Sequence, residues 1–261
     1  TSYEKIIKFF SQTFAAYQLS DNSVLEKKVT KQLEKLKEYG MITDENGFEP
    51  TKFGKRVFYL RIDPETASNI TGYIEDYVRG QKHTFGILHM ITNLPEFYSR
   101  YAVPEKYEDA MDDLIEKNEK LYTKQKFSIK EDCFKSLLIL YKWIDAMTYQ
   151  DMSEHFDAEP GDIFYIKENA KNLIYTFTEI VKFWRDHAKE NEQKKIVSEY
   201  QNLIEESDLL RLQIIHGVPE KYLELVKIKQ IGRVRAQILY KNGYKTKTTL
   251  KKAPLEKLAA I

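Results

Sequence analysis

Two arginines near the end of the chain occupy positions that a helix does not ordinarily favour. Arg233 and Arg235 directly follow a turn predicted at residues 230–232, so they fall in the first turn of the next predicted helix. The helix dipole disfavours cations at this end unless an anion is bound there. A glycine at the turn, Gly232, lets an anion approach the backbone N–H groups closely. The pattern therefore predicts a phosphate-binding site.

The residues around these arginines form a helix, a turn and a second helix. The first helix contains Leu223, and Asn242-Gly243 ends the second. This arrangement resembles a helix-hairpin-helix, which holds a DNA phosphate with the N–H groups of its hairpin. Gln230 stands where the first glycine of that motif is usual. The predicted nucleic-acid-binding residues here are Lys227, Lys229, Gly232, Arg233, Arg235 and Lys241. A basic domain that binds protein is the alternative.

Positive charge is concentrated at the same end of the chain. Residues 211–261 contain twelve Lys or Arg and three Glu, a net charge of +9, whereas the other 210 residues carry −8. Segregation of this size indicates that the basic end meets a polyanion.

A second candidate surface lies on a long helix predicted to begin at Pro160. Acids and the proline mark its start, and one face is an apolar stripe from Ile163 to Trp184. Its other face carries aromatic, amide and lysine side chains, which can stack on bases and pair with phosphates of a single strand. These are Phe164, Tyr165, Lys171, Asn172, Tyr175 and Lys182. Packing of the aromatic residues against a neighbouring helix is the alternative.

The first 70 residues carry the pattern of a winged helix. A helix is predicted from Val24 to Tyr39, with Gly40 as its C-terminal glycine, followed by a short hairpin turning at Asn46-Gly47. Thr51 is predicted to cap the next helix. The lysines of the Val24–Tyr39 helix could contact DNA phosphates, or the unit could pack against a neighbouring domain.

The composition argues against several classes of protein. The single cysteine, Cys133, lies in an apolar helical pattern and is predicted to be buried, and the five histidines lack metal-ligand spacing. No phosphate-binding loop or acidic ATPase motif occurs, so no catalytic residue is predicted and the chain itself should not hydrolyse ATP. No apolar run suits a membrane span or a signal peptide, which predicts a cytoplasmic protein. The first residue, Thr1, suggests a fragment or a processed chain.

The order of these parts resembles a known family. The winged helix, the Pro160-Gly161-Asp162 helix start and the run from Ile215 to Gly243 are together similar to the archaeal Hjm-type superfamily-2 DNA helicases, relatives of the Ski-like RNA helicases. The resemblance implies a mainly α fold: a winged helix at 1–70 with a small β-hairpin, a helical ratchet bundle at 71–209 and a small basic helix-hairpin-helix domain at 210–261.

The resemblance also implies a function. ATP and Mg²⁺ would act on RecA-like motor domains elsewhere in the parent chain, a 3′ to 5′ helicase working on forks and branched DNA in repair or restart. The long helix would be a ratchet that stacks on the 3′ strand, although Tyr165 and Asn172 stand where the family has arginine and tryptophan. The expected partners are single-stranded, 3′-tailed or branched DNA and the motor domains, with a monomeric chain and no membrane. The alternatives are a winged-helix regulator that binds duplex DNA and a protein-docking scaffold.

Overall fold

The computed structural model describes residues 1–19, 21–80, 84–98, 109 and 131–259. The described part is mainly helical, with one two-stranded antiparallel sheet, which confirms the predicted fold class. The chain divides into two compact units, Thr1–Gly72 and Tyr73–Ile261. The first predicted boundary, at residue 70, lies close to this division. The second, at 209, falls inside a helix of the second unit, and the three-domain division stays a prediction.

The first unit contains the winged helix. Its elements are α1 (Tyr3–Ser11), α2 (Phe14–Gln18), α3 (Asn22–Glu38), β1 (Ile42–Thr43), β2 (Glu49–Pro50), α4 (Lys52–Leu60) and the start of α5 (Pro64–Val78). Ile42 pairs with Pro50 and Thr43 with Glu49. A small core joins α1, α2 and α3 through the buried Ala16, Leu25 and Val29.

Local sequence determines how α3, the hairpin and α4 meet. Gly40 ends α3 with a φ of 66°, as predicted. Thr51 caps α4: its hydroxyl accepts a hydrogen bond from the Gly54 N–H at 3.0 Å and donates one to the Gly40 carbonyl at 2.8 Å. A Cβ at Gly54 would lie 2.0 Å from the Met41 carbonyl oxygen, so only glycine permits this close approach.

The second unit is a helical bundle followed by a smaller group of helices. Its elements are the end of α5, α6 (Thr84–Asn93), α7 (Glu131–Ile144), α8 (Tyr149–Phe156), α9 (Pro160–Glu190), α10 (Lys194–His216), α11 (Glu220–Val226), α12 (Arg233–Lys241), α13 (Lys247–Lys251) and α14 (Leu255–Ala259). Residues 99–108 and 110–130 of the predicted bundle lie outside the described residues. Cys133 is buried in α7, as predicted.

The predicted long helix is α9, and it packs along α10. It begins at Pro160 with a capping box in which Glu159 accepts from the backbone at Asp162, and Asp162 accepts from the Glu159 N–H at 3.1 Å. The predicted core stripe is buried from Ile163 to Ile180, whereas Trp184 is only half-buried. Burial of that stripe leaves the opposite edge of α9 in solvent.

Helices α11 and α12 form the predicted helix-hairpin-helix. Their core contains Tyr222, Leu225 and Ala236 and also includes Ala146 from the segment between α7 and α8. The core of the hairpin is therefore shared with the end of α7.

Candidate nucleic-acid interface

The hairpin turn keeps the backbone shape of the motif although its first glycine is absent. Gln230 adopts a left-handed conformation with a φ of 71°. This conformation costs about 1–2 kcal/mol in a residue with a Cβ. The Ile231 N–H donates to the Ile228 carbonyl at 3.0 Å and tightens the turn. The turn thus connects α11 to α12 without a glycine at position 230.

The start of α12 is open to solvent. Gly232 is its N-cap residue, and no side chain caps the first turn. The first N–H groups of a helix have no intrahelical acceptor, so they are available to an anion. A Cβ built on Gly232 meets no atom within 4 Å. The protein's own packing therefore does not require glycine here, whereas a phosphate placed against the backbone would.

One predicted cation lies beside this opening. Arg235 is exposed, and its Nη1 donates to the Gln230 carbonyl at 2.8 Å, which holds the guanidinium beside the turn. Lys227 and Lys229 are exposed at the end of α11 and in the turn. The structure therefore leaves Gly232, Arg235 and both lysines exposed in one hairpin, and Arg235 and the first N–H groups of α12 can bind a backbone phosphate there.

Arg233 makes contacts inside the second unit. Its guanidinium stacks over the indole of Trp143, with Cζ 4.0 Å from the ring centroid, and lies 5.7 Å from the ring of Tyr149. Its Nη2 donates a hydrogen bond to the Met147 carbonyl. Burial lowers the pKa of the guanidinium from its ordinary value. Arg233 thus faces the end of α7, and its predicted phosphate contact stays a prediction.

The chain just after α7 holds Arg233 in this place. The predicted anion at the start of α12 stays a prediction, and the contact that the structure shows is to a backbone carbonyl. Ala146 and Met147 follow Ile144, the last residue of α7, and their carbonyls can accept hydrogen bonds from outside that helix. Arg233 binds the Met147 carbonyl, and the Gln237 amide donates to the Ala146 carbonyl at 3.0 Å.

Trp143 joins several elements of the second unit at this point. The side chain is 3% exposed, and its Nε1 donates to the Ile214 carbonyl of α10 at 2.7 Å. The Lys167 ammonium of α9 lies 5.0 Å from its ring centroid. At Gly217, which ends α10 with a φ of 62°, a Cβ would lie 2.5 Å from the indole. We call Trp143, Arg233 and Gly217 the tryptophan junction.

The predicted edge of α9 is exposed. Tyr165 is 67% exposed and contacts Phe164 edge-on, with the ring centroids 5.6 Å apart. Asn172 lies two turns further along on the same face and is also exposed. Tyr175 follows one turn later, and the Arg211 guanidinium of α10 lies 5.5 Å from its ring centroid. Flat rings and an amide thus line one side of the helix.

Two predicted lysines are placed differently. Lys171 is half-buried and pairs with Glu168 on the preceding turn, so its charge is partly neutralised. Lys241 is exposed, but it lies in the last turn of α12, at the opposite end from Gly232. The length of α12 between them is about 14 Å at 1.5 Å per residue.

Periodicity along the sequence did not reveal three further residues. Trp143 belongs to the tryptophan junction, and the Lys167 ammonium lies over its ring. Arg211 stacks on Tyr175. Their contacts join residues that are far apart in the chain. For Arg211, the sequence signal was the net positive charge of the segment that begins with this residue.

Within the ranges that the structure describes, no group of three or more His, Cys, Asp or Glu side chains could hold a metal ion. No helix among the same residues has both the length and the apolar character needed to cross a bilayer.

Known proteins resemble this chain over most of its length. A family model described as "Archaeal helicase, domain 4" matches residues 85–202, which include all of α9. The ATP-dependent DNA helicase Hel308 of Pyrococcus abyssi is 28% identical over 100% of the chain and 35% of its own length. The Hel308 of Thermococcus kodakarensis is 31% identical over 94% of the chain and 21% of its own length. These matches support a C-terminal region of an archaeal Hel308-type helicase.

This relationship agrees with the resemblance seen in the sequence. The Hel308 of Pyrococcus horikoshii is 29% identical over 97% of the chain and 34% of its own length. The chain thus spans about a fifth to a third of the length of these Hel308 relatives. The hairpin from Gly217 to Gly243 lies outside the family-model match but inside the stretch that the Pyrococcus abyssi protein covers.

Proposed function

We propose that this chain is the DNA-binding, strand-guiding and regulatory part of an ATP-dependent 3′ to 5′ DNA helicase. The observation that carries the proposal is the open start of α12, where uncapped N–H groups, Gly232 and Arg235 face solvent together. The relatives named ATP-dependent DNA helicase cover the chain from end to end. In this proposal ATP and Mg²⁺ are used by RecA-like motor domains elsewhere in the parent protein.

The hairpin would hold the strand by its backbone. The first N–H groups of α12 donate to a phosphate oxygen, and Arg235 adds a charge-assisted hydrogen bond. Lys227 and Lys229 add attraction that does not depend on base sequence. Such contacts suit a protein through which a strand must pass, because every nucleotide presents the same phosphate.

The exposed edge of α9 would contact bases. Tyr165 and Tyr175 offer aromatic surfaces, on which stacking is worth about 1–3 kcal/mol per base, and Asn172 offers an amide for hydrogen bonding. Stacking tolerates any base, so the helix can release one nucleotide and engage the next between ATP-driven steps. Substrates with a 3′ tail, such as forks and branched DNA, would supply that strand.

The binding mode can be tested with the chain itself. Fluorescence anisotropy with single-stranded, 3′-tailed and blunt duplex DNA should show preference for the first two and a steep dependence on salt. Arg235→Ala removes one phosphate contact, so the slope of log K against log salt should fall by about 0.7 on single strands. Arg79→Ala is the matched control, because Arg79 is exposed and already paired with Glu75 and Asp76.

Three outcomes would contradict this proposal in different ways. Tight binding to one duplex sequence would favour a winged-helix regulator. Absence of nucleic-acid binding at low salt would favour a protein-docking scaffold. Equal slopes for Arg235→Ala and Arg79→Ala would remove the hairpin from the interface.

The proposed ratchet needs the parent helicase. Tyr165→Ala should slow unwinding of a 3′-tailed duplex more than it weakens DNA binding, because stacking is needed at every step. Tyr17→Ala, which alters an exposed tyrosine of α2, is the control. Equal losses of unwinding and affinity in Tyr165→Ala would contradict a ratchet role.

A further inference from the structure

A concave cleft of about 360 Å³ lies between the end of α7 and the hairpin helices. Three lysines line it, and each comes from a different helix: Lys142 from the last turn of α7, Lys221 from the first turn of α11 and Lys241 from the last turn of α12. The fold brings them together although they are far apart in the chain. The spacing of these lysines along the sequence does not predict that they lie close together in the fold.

The cleft has a net positive charge. Asp145 is the one acidic residue among those that line it. Within the described ranges, none of the three lysines has a carboxylate within ion-pairing distance. Lys142 and Lys241 lie at helix C-termini, where the dipole favours a cation, but Lys221 lies at a helix N-terminus, where it does not. Its ammonium rests 5.1 Å from the Tyr222 ring centroid.

The other lining groups offer little to a base. Tyr222 is buried and forms part of the wall. The Gln237 amide already donates to the Ala146 carbonyl at 3.0 Å. The cleft therefore presents ammonium groups and few groups that could distinguish bases, which suits a phosphate more than a nucleobase.

We propose that this cleft binds a second backbone phosphate of the nucleic-acid strand held at the hairpin turn, an inference that rests on the proposed function. Helix α12 joins the two sites, because Gly232 precedes its first residue and Lys241 is its last. The helix axis between Gly232 and Lys241 is about 14 Å long at 1.5 Å per residue, a distance that a few nucleotides of one strand can span. The strand would run along α12 from the turn to the cleft.

The test compares two double variants of the full chain that lose equal charge. Lys142→Ala/Lys221→Ala removes two cleft lysines and leaves the turn intact. Lys194→Ala/Lys195→Ala removes two exposed lysines from the first turn of α10 and is the control. Binding of a labelled 3′-tailed DNA is measured from about 50 to about 200 mM salt. The cleft variant should lower the slope of log K against log salt by about 0.7, the value for one lost phosphate contact on a single strand, and the control should leave it near the wild-type value.

Each other result overturns the inference in a recognisable way. Equal slopes for the two variants would reject the cleft while leaving hairpin binding in place. A wild-type chain that binds no DNA would reject both the cleft and the proposed function. A peptide rich in Asp and Glu is the second probe. If only its affinity falls in the cleft variant, the cleft belongs to an acidic protein partner. Thermal unfolding of both variants shows whether folding has changed.

Discussion

Replacing Arg233 should damage the fold more than it damages a phosphate contact. Its stack on Trp143 is worth about 1–2 kcal/mol where the pair is shielded from water. Its hydrogen bond to the Met147 carbonyl adds about 1.5–3 kcal/mol. Against these gains, the Arg233 Nη1 is buried and has no hydrogen-bond partner in the described part of the chain, which costs about 1–3 kcal/mol. We therefore expect Arg233→Ala to lower the free energy of unfolding by about 2 kcal/mol.

Thermal unfolding followed by circular dichroism measures this loss. For a cooperative unit of about 150–250 residues, each kcal/mol shifts Tm by about 2–4 °C, so Tm should fall by about 4–8 °C. Arg233→Lys should recover little of it, because an ammonium cannot reproduce the planar stack. The chain has two tryptophans, so in a Trp184→Phe background the fluorescence of Trp143 reports directly on loss of the stack.

Arg235→Ala is the matched control for this experiment. Arg235 is exposed and its guanidinium contacts the Gln230 carbonyl of its own turn, so its loss should change stability by at most about 0.5 kcal/mol. The reasoning is refuted if Arg233→Ala keeps the wild-type Tm and Trp143 emission yet loses DNA affinity as Arg235→Ala does. In that case Arg233 is a phosphate ligand after all.

Two further predictions concern the end of α10. Gly217→Ala should destabilise the chain by about 2–4 kcal/mol in urea unfolding, because the Cβ meets Trp143 and the positive φ is strained. Gly161→Ala, which meets no atom within 4 Å, should change stability by less than about 1 kcal/mol, and equal effects would contradict the argument. Burial, with Lys227 nearby, lowers the pKa of His216, so the unfolded state binds the proton first and stability should fall as pH drops below about 6.5. His216→Asn should flatten that dependence in urea midpoints at pH values above and below 6.5, and an unchanged profile would show that another group titrates.

Local signals in the sequence predicted most of the described elements. Gly40, Thr51 and the Glu159–Asp162 start of α9 interact with residues three or four positions away. The sequence alone therefore predicts the helix ends that they form. The hairpin between α11 and α12 was predicted for the same reason. Its N-cap and its C-terminal Asn242 are local features.

The orientation of α12 was not predictable in this way. Its apolar residues Val234 and Ile238 are exposed, whereas Arg233 and Gln237 face the end of α7. This face is turned toward α7 because Arg233 and Gln237 donate hydrogen bonds to the Met147 and Ala146 carbonyls. Those carbonyls belong to residues about ninety positions earlier in the chain. The dipole argument predicted an anion beside Arg233, and it could not foresee the Met147 carbonyl, which is distant in the sequence.

The tryptophan junction limits how freely the hairpin can be exchanged between related proteins. A shorter chain starting at Arg211 would keep the whole hairpin turn but lose Trp143 and Met147, the groups against which Arg233 rests. A chimaera that imports a hairpin must therefore also import the end of α7 and the glycine at 217. The structural unit that has to be exchanged at this end of the chain is larger than the motif that we propose to contact DNA.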